Sequence, residues 1–105
     1  MKSISVSELK AKQDANEQIQ LIDIREPWEV KVATIGGHNI PMGEILQRSG
    51  ELKTDIPCVI HCRTGGRSSK IVQVLELHKG FENIYNLEGG INAWAEEIDQ
   101  SLEKY

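Results

Sequence analysis

Long apolar runs are missing from this 105-residue sequence. The first residues, Met1-Lys2-Ser3-Ile4-Ser5, hold no apolar core of signal-peptide length, and no run approaches the roughly 20 apolar residues of a membrane-spanning helix. Low-complexity segments and repeats at solenoid spacing are also missing. We therefore expect a cytoplasmic protein with no membrane partner, and the length favours one compact domain over residues 1–105.

Basic residues are too few and too scattered to form a nucleic-acid-binding stripe. The chain has 12 lysines and arginines against 16 aspartates and glutamates, which gives a formal net charge of −4. Because nucleic-acid affinity depends largely on dense basic surface that displaces counterions, we expect no nucleic-acid partner. A small anion can still bind, since its affinity depends on local donors and not on total charge.

Cysteine is scarce, and the two cysteines cannot pair if they share a strand. Their separation in sequence would place the Cα atoms of Cys58 and Cys62 roughly 13 Å apart at about 3.3 Å per residue, whereas a disulfide needs less than about 7 Å. Two thiols also fall short of the ligands of a structural zinc site, so we expect no metal. Cys58 is interpreted as a core residue, which leaves Cys62 as the functional thiol.

Short apolar runs alternate with helical patterns along the chain. Ser5 and Glu8 form a capping box, which predicts a helix over residues 6–15. Pro27 suits the first position of a short helix, and Gly80 suits the end of a longer one. The patterns predict further helices over 27–32, 43–52, 68–79 and after residue 90, and strands over 19–24, 38–40, 58–61 and 83–87.

Strands separated by helices predict parallel pairing with right-handed crossovers. The predicted fold class is therefore α/β, with a central, mostly parallel sheet of about five short strands and helices on both faces. In such sheets ligands bind beyond the carboxyl ends of the strands, where Asp23 and Cys62 both lie. We expect the functional site at that edge.

The segment Cys62-Arg63-Thr64-Gly65-Gly66-Arg67 joins a buried strand to a helix that begins near Ser68. The N–H groups of such a loop can point inward as an anion-binding nest, and the helix N-terminus adds positive partial charge. Both effects lower the pKa of a thiol, so Cys62 is predicted to be a nucleophile. Arg63 and Arg67 are candidate anion ligands. Ser68 is interpreted as either an N-cap or a site hydroxyl.

Four segments together resemble the rhodanese-like family in its small, single-domain form. They are Leu21-Ile22-Asp23-Ile24-Arg25-Glu26-Pro27, Asn39-Ile40-Pro41, His61 through Ser68, and Leu87-Glu88-Gly89-Gly90-Ile91-Asn92-Ala93-Trp94. The loop before Asn39 departs from the family pattern, so His38 is not equated with the family's usual histidine. Within this resemblance, residues 35–44 and 93–99 look most like the rhodanese domains often fused behind adenylyltransferases that supply sulfur to ubiquitin-like carrier proteins.

The resemblance implies a sulfurtransferase that needs no metal or organic cofactor. Cys62 would be the catalytic residue and would take the sulfane sulfur of a small sulfur-containing anion, such as thiosulfate, as a persulfide. The acceptor would be cyanide, a small thiol or a protein sulfur acceptor. The substrate-binding residues would be Arg63, Thr64, Gly65, Gly66, Arg67 and Ser68, acting through loop N–H groups, the helix dipole and two guanidinium groups.

Cysteine phosphatases and arsenate-type enzymes are the main rival, because they also combine a cysteine, a glycine-containing loop and an arginine. Their loop resembles Cys-x5-Arg, whereas four residues separate Cys62 from Arg67. The shorter loop suits one sulfur atom better than a tetrahedral phosphate, and the loop holds no convincing acid to protonate a leaving oxygen. A non-enzymatic binding or redox-sensing module is the remaining alternative, because a low-pKa thiol can be oxidised.

Residues outside the loop receive supporting or structural interpretations. We expect Asp23 to brace the loop by hydrogen bonds and Arg25 to pair with an acidic neighbour. His61 is interpreted as a packed residue at the end of its strand. Trp28 and Trp94 are both expected in the core, with the border of the pocket as the alternative for Trp28.

Overall fold

The computed structural model describes residues 1–105 as one sheet with helices on both faces. In chain order the elements are β1 (Lys2–Ile4), α1 (Val6–Asp14), β2 (Gln20–Asp23), α2 (Pro27–Val32), β3 (His38–Asn39), a 3-10 helix (Ser49–Glu51), β4 (Cys58–His61), α3 (Gly66–Lys79), β5 (Ile84–Leu87) and α4 (Gly90–Glu97). The five strands lie in the order β1-β5-β4-β2-β3, and every pairing is parallel. The predicted α/β class is confirmed.

Two apolar clusters cover the two faces of the sheet. Since neighbouring residues of a strand point to opposite faces, β4 supplies Cys58 and Ile60 to the first cluster and Val59 to the second. α3 packs on the first face, where Leu75 is fully buried, while α1 and α4 cover the second face. β4 is buried at all of its residues and forms the centre of the sheet.

Several local signals in the sequence produce the expected structure. The Ser5 hydroxyl accepts a hydrogen bond from the N–H of Glu8 at 3.1 Å, and the Glu8 carboxylate accepts one from the N–H of Ser5 at 3.1 Å, so the capping box is confirmed. Pro27 is the first residue of α2. Gly80 ends α3 in the left-handed conformation, with a φ of +72°.

The predicted helix over 43–52 is wrong. A series of turns leads instead into the 3-10 helix. The N–H of Glu44 bonds to the carbonyl of Pro41, three residues back, and only the N–H of Arg48 reaches four residues back, to the carbonyl of Glu44. Gly50 adds to the cost of a regular helix here, because glycine loses more backbone entropy than other residues on folding.

Three other features differ from the sequence-based expectations. β1 follows from no pattern in the sequence, because Ile4 is its one buried residue. Trp94 is buried as expected, but the expectation that Trp28 lies in the core is wrong, since 60% of Trp28 is exposed. The helical pattern over 68–79 places Leu77 on the buried face of that helix, but Leu77 is 80% exposed. No helix is both long and apolar enough to cross a membrane.

Candidate active site

The site lies at the carboxyl edge of the sheet, where Cys62 directly follows β4. Its thiol is free and is 1% exposed. Cys58, at the other end of β4, is also free, and burial raises the pKa of its thiol to about 12. The interpretation of Cys58 as a core residue is confirmed, and only Cys62 stands among polar donors.

Hydrogen-bond donors from the following loop converge on the sulfur of Cys62. The N–H of Gly65 donates to Sγ at 3.1 Å and the N–H of Ser68 at 3.4 Å, while the Ser68 hydroxyl lies 3.4 Å from Sγ. Burial alone would raise the pKa of Cys62. Bonds from the Ser68 hydroxyl and from the N–H groups of Ser68, Gly65 and Thr64 outweigh burial and hold that pKa below its ordinary value. The geometry therefore favours a thiolate.

Ser68 is a site hydroxyl and not an N-cap. α3 begins two residues earlier than its predicted start, and its N-cap is Gly65, which has a φ of +104°. Ser68 consequently lies in the first turn of α3, where its hydroxyl donates to the carbonyl of Gly65 at 3.3 Å and bonds to Oδ1 of Asn86. Asn86 comes from β5, so three elements of the sheet edge meet at this hydroxyl.

Residues 62–67 form the cysteine loop. The N-terminus of α4 turns carbonyl groups of this loop away from the sulfur. The N–H of Ile91 donates to the carbonyl of Cys62, and the N–H of Asn92 donates to the carbonyl of Arg63, both at 3.0 Å. Because C=O and N–H point in opposite directions across a trans peptide, the N–H of Thr64 then faces inward. The free N–H groups at the start of α4 thereby orient the N–H donors of the loop that precedes α3.

Gly90 is what allows this close approach. Its φ is +56°, and a Cβ atom built on it would lie 2.5 Å from the carbonyl oxygen of Cys62 and 2.6 Å from that of Arg63. Every side chain would displace the loop, so the Glu88-Gly89-Gly90 turn belongs to the site as well as to the fold.

The two loop arginines have different partners. Arg67 forms a two-pronged ion pair with the carboxylate of Glu29, with distances of 3.0 and 3.1 Å. Burial raises the pKa of Glu29, but the hydrogen bonds from Arg67 outweigh it and lower that pKa below its ordinary value. Arg63 forms no ion pair, and its buried Nε has no hydrogen-bond partner. Arg63 is therefore the loop arginine that no carboxylate neutralises.

Asp23 and Arg25 form a buried pair. The Arg25 guanidinium donates to the Asp23 carboxylate at 2.7 to 3.1 Å and is fully buried, which confirms that Arg25 pairs with an acidic neighbour. The expectation that Asp23 braces the cysteine loop is wrong, because its carboxylate accepts hydrogen bonds only from Arg25. Ile22 and Ile24 share the cluster that holds Cys62, so strand alternation places Asp23 on the opposite face.

His61 is packed, as interpreted, and lies on the same face as Asp23. It is fully buried, and burial lowers its pKa, so the imidazole is neutral. Its Nδ1 lies 3.2 Å from the carbonyl oxygen of Cys62, and its Nε2 lies 3.7 Å from the Asp23 carboxylate. It makes no contact with the sulfur and is not placed to act as a base on it.

The sequence analysis missed three residues of the site. Asn86 could have been found as the polar residue of an otherwise apolar strand. The Glu29 carboxylate accepts a hydrogen bond from the N–H of Glu26 at 2.9 Å. This capping role could be predicted from the sequence, whereas the pairing of Glu29 with an arginine could not. Tyr105 gives no signal in the sequence, yet its hydroxyl accepts a hydrogen bond from Arg25 at 2.8 Å.

The sulfur site is a small cradle and not a deep pocket. The larger of two surface cavities has a volume of about 240 Å³ and is lined by residues such as Ile19, Pro57 and Tyr85, none from the cysteine loop. A loop that closes around a single atom encloses little empty space, so cavity size does not mark this site. No group of three or more His, Cys, Asp or Glu side chains is arranged to hold a metal ion.

Comparisons with known proteins agree with this geometry. A family model for the rhodanese-like domain matches residues 5–97. The putative sulfurtransferase YtwF of Bacillus subtilis is 39% identical over 98 residues, which cover 92% of this chain and 93% of that protein. The probable adenylyltransferase/sulfurtransferase MoeZ of Mycobacterium tuberculosis is 32% identical over 107 residues, which cover 98% of this chain but 27% of MoeZ.

A solved structure gives the same result for the fold. The crystal structure of a rhodanese-like domain protein from Staphylococcus aureus superimposes with a TM-score of 0.83 at 32% identity, covering 100% of this chain and 99% of that one. The two chains thus share their fold over nearly their full length.

Proposed function

Because the chain belongs to the rhodanese-like domain family, we propose that it is a sulfurtransferase that carries sulfane sulfur on Cys62 as a persulfide. The observation that carries the proposal is the convergence of the Gly65 N–H, the Ser68 N–H and the Ser68 hydroxyl on one sulfur atom. We propose a cytoplasmic location as well, because free thiols persist in a reducing compartment.

In the first step the Cys62 thiolate attacks the outer sulfur of thiosulfate. A bond forms between Sγ and that sulfur, while the bond between the two sulfur atoms of thiosulfate breaks and its electron pair leaves with sulfite. The enzyme then holds an anionic persulfide, and no external oxidant or reductant is needed. Arg63, which has no carboxylate partner, offsets the repulsion between the anionic donor and the thiolate.

In the second step a nucleophilic acceptor attacks the outer sulfur of the persulfide. With cyanide the new carbon–sulfur bond gives thiocyanate, the sulfur–sulfur bond breaks, and its electron pair restores the Cys62 thiolate. A small thiol or a protein sulfur acceptor would react in the same sense. The donors that favour the thiolate also favour this leaving group, so one set of hydrogen bonds serves both steps.

Arg67 has a different role from Arg63 in this proposal. Its ion pair with the nearly buried Glu29 ties the first turn of α3 to α2. The pair holds the start of the helix in place, and with it the N–H of Ser68. Arg67 thus acts on the sulfur through the position of the loop and also through its charge, since the charge of Cys62 helps to raise the pKa of Arg67.

Intact mass spectrometry tests the proposal directly. After incubation with thiosulfate we expect a gain in mass of one sulfur atom, and cyanide should remove it. Cys62→Ala should not gain the sulfur, whereas the matched variant Cys58→Ala should load like the wild type. The proposal fails if the wild type gains no sulfur from thiosulfate or any other sulfane donor, and Cys62-dependent turnover of an aryl phosphate would favour a phosphatase.

A further inference from the structure

The Arg63 guanidinium lies against an aromatic ring and makes no hydrogen bond within the protein. It forms no ion pair, and its Nε is buried without a hydrogen-bond partner. The guanidinium carbon lies 4.5 Å from the centre of the Tyr105 ring, within the range of a cation–π contact. A stacked guanidinium uses its flat face and leaves its N–H edge free for an anion. Stacking on Tyr105 therefore fixes Arg63 without using its donors.

Tyr105 is itself held at both ends. Its hydroxyl accepts a hydrogen bond at 2.8 Å from Arg25, whose guanidinium is fully buried against Asp23. Its ring meets the ring of Trp28 edge to face, with 5.9 Å between centroids. The exposed Trp28 thus has a structural partner, and Tyr105 connects a rigid buried ion pair to the arginine of the cysteine loop.

The free donors of Arg63 indicate what this arrangement serves. Its Nε is buried, but no hydrogen bond within the protein occupies its Nη groups, so they can donate to an anionic oxygen. In Arg67, by contrast, Nη1 and Nη2 each already donate to the Glu29 carboxylate. A held Arg63 is therefore the part of the loop best suited to discriminate an anionic reagent from a neutral one.

We propose that Tyr105 is a positioning residue, which holds the guanidinium of Arg63, the residue after Cys62, and so favours anionic sulfur donors over neutral ones. The proposal rests on the proposed function only for the identity of the donor. The contact itself predicts a preference for anions that any thiol-directed reagent can reveal.

The test compares the rates at which an anionic reagent, iodoacetate, and a neutral reagent, iodoacetamide, alkylate Cys62. We expect Tyr105→Leu to lower the ratio of the two rates about threefold to tenfold, as loss of one cation–π contact implies. Tyr105→Phe keeps the ring but loses the bond to Arg25, so its ratio should lie between. Ser101→Leu, an exposed and charge-neutral control nearby, should keep the wild-type ratio.

A double-mutant cycle identifies the route of the effect. If Tyr105 acts through Arg63, adding Tyr105→Leu to Arg63→Gln should lower the ratio no further. With thiosulfate and cyanide, Tyr105→Leu should raise KM for thiosulfate and leave kcat nearly unchanged. An unchanged ratio in Tyr105→Leu, or additive effects in the double variant, would overturn the proposal.

The two proposals can fail separately. If the wild type does not load sulfur, the proposed function fails, while the alkylation ratio still decides the role of Tyr105. If sulfur loading is normal and the ratio does not respond to Tyr105→Leu, only the inference about Tyr105 fails.

Discussion

Replacing Ser68 by alanine should raise the pKa of Cys62 by about one unit. A hydrogen bond to a charged group contributes about 1.5–3 kcal/mol, and one pKa unit corresponds to about 1.36 kcal/mol, so complete loss of such a bond predicts a rise of roughly one to two units. The Ser68 hydroxyl has a single proton and two other acceptors, the carbonyl of Gly65 and Oδ1 of Asn86. We therefore expect the lower end of the range.

The rate of alkylation by iodoacetamide, measured against pH, reports this pKa. In Ser68→Ala the midpoint should move upward by about one unit, and the rate well below the midpoint should fall about tenfold. The N–H groups of Gly65 and Ser68 remain in the variant, so the pKa should not rise to the value of an unassisted buried thiol.

Ser69→Ala is the matched control, since it removes a hydroxyl one residue along the same helix. The Ser69 hydroxyl lies 3.5 Å from the sulfur of Met1 and makes no contact with Cys62. A midpoint in Ser68→Ala that stays within about 0.3 units of wild type, or that moves equally in Ser69→Ala, would show that the Ser68 hydroxyl does not stabilise the thiolate. Circular dichroism of both variants verifies that the fold is retained.

Three further predictions concern the surroundings of the loop. Gly90→Ala places a methyl group 2.5 Å from a loop carbonyl at a φ of +56°, so the free energy of unfolding measured in urea should fall by at least about 1 kcal/mol, and sulfur loading should fall as well. The control Gly43→Ala, with open space around it, should be tolerated. Glu29→Gln removes the ion pair with Arg67. The folded-state pKa of Glu29 lies below 4.5, so the ion pair stabilises the fold fully above pH 4.5, and this stabilisation is lost as the pH falls through the folded-state pKa. Glu29→Gln should therefore unfold more easily than wild type at neutral pH but not in acid. Cys58, with a pKa of about 12, should resist iodoacetamide at neutral pH, and peptide mapping of the native protein should find the label on the other cysteine alone.

Each of these results has a clear opposite. Equal stability of the two glycine variants would mean that the loop yields to the added methyl group. A deficit of the Glu29 variant that does not change with pH would show that packing, and not charge, explains its effect. Label on Cys58 in the native protein would show that β4 opens.

Features that depend on neighbouring residues could be predicted from the sequence. The capping box at Ser5, the helix start at Pro27 and the helix end at Gly80 each involve a few adjacent positions. The same holds for the cysteine loop, whose donors all lie within six residues of Cys62. The predicted helix over 43–52 failed because its apolar residues fit turns as well as they fit a helix.

Features that depend on distant residues could not be predicted. Glu29 lies 38 residues from Arg67, so nothing in the loop shows that one of its arginines is neutralised. Tyr105 lies 80 residues from Arg25. The expectation that Trp28 lies in the core fails because large apolar side chains also occur at surfaces, and here the Trp28 ring meets the distant Tyr105 ring in a T-shaped contact.

The face of the sheet on which Asp23 lies can be predicted from the sequence. Strand alternation between Ile22 and Ile24 already places Asp23 on the face opposite to the one that those two residues cover. Residues that end neighbouring strands share an edge of the sheet, and they share a site only if they also share a face.

The docking of α4 has a consequence for how this protein can vary. The N–H groups of Ile91 and Asn92 hold the carbonyls of the cysteine loop, while Trp94, on the same helix, packs in the second cluster, across the sheet from the thiol. A smaller side chain at position 94 would let α4 shift. That shift would weaken the two hydrogen bonds to the loop, although the substituted side chain lies on the other face of the sheet. Amide exchange at residues 91 and 92 would therefore track the reactivity of the thiol. Substitutions that alter the packing on one face of the sheet would therefore alter the reactivity of the thiol on the other face.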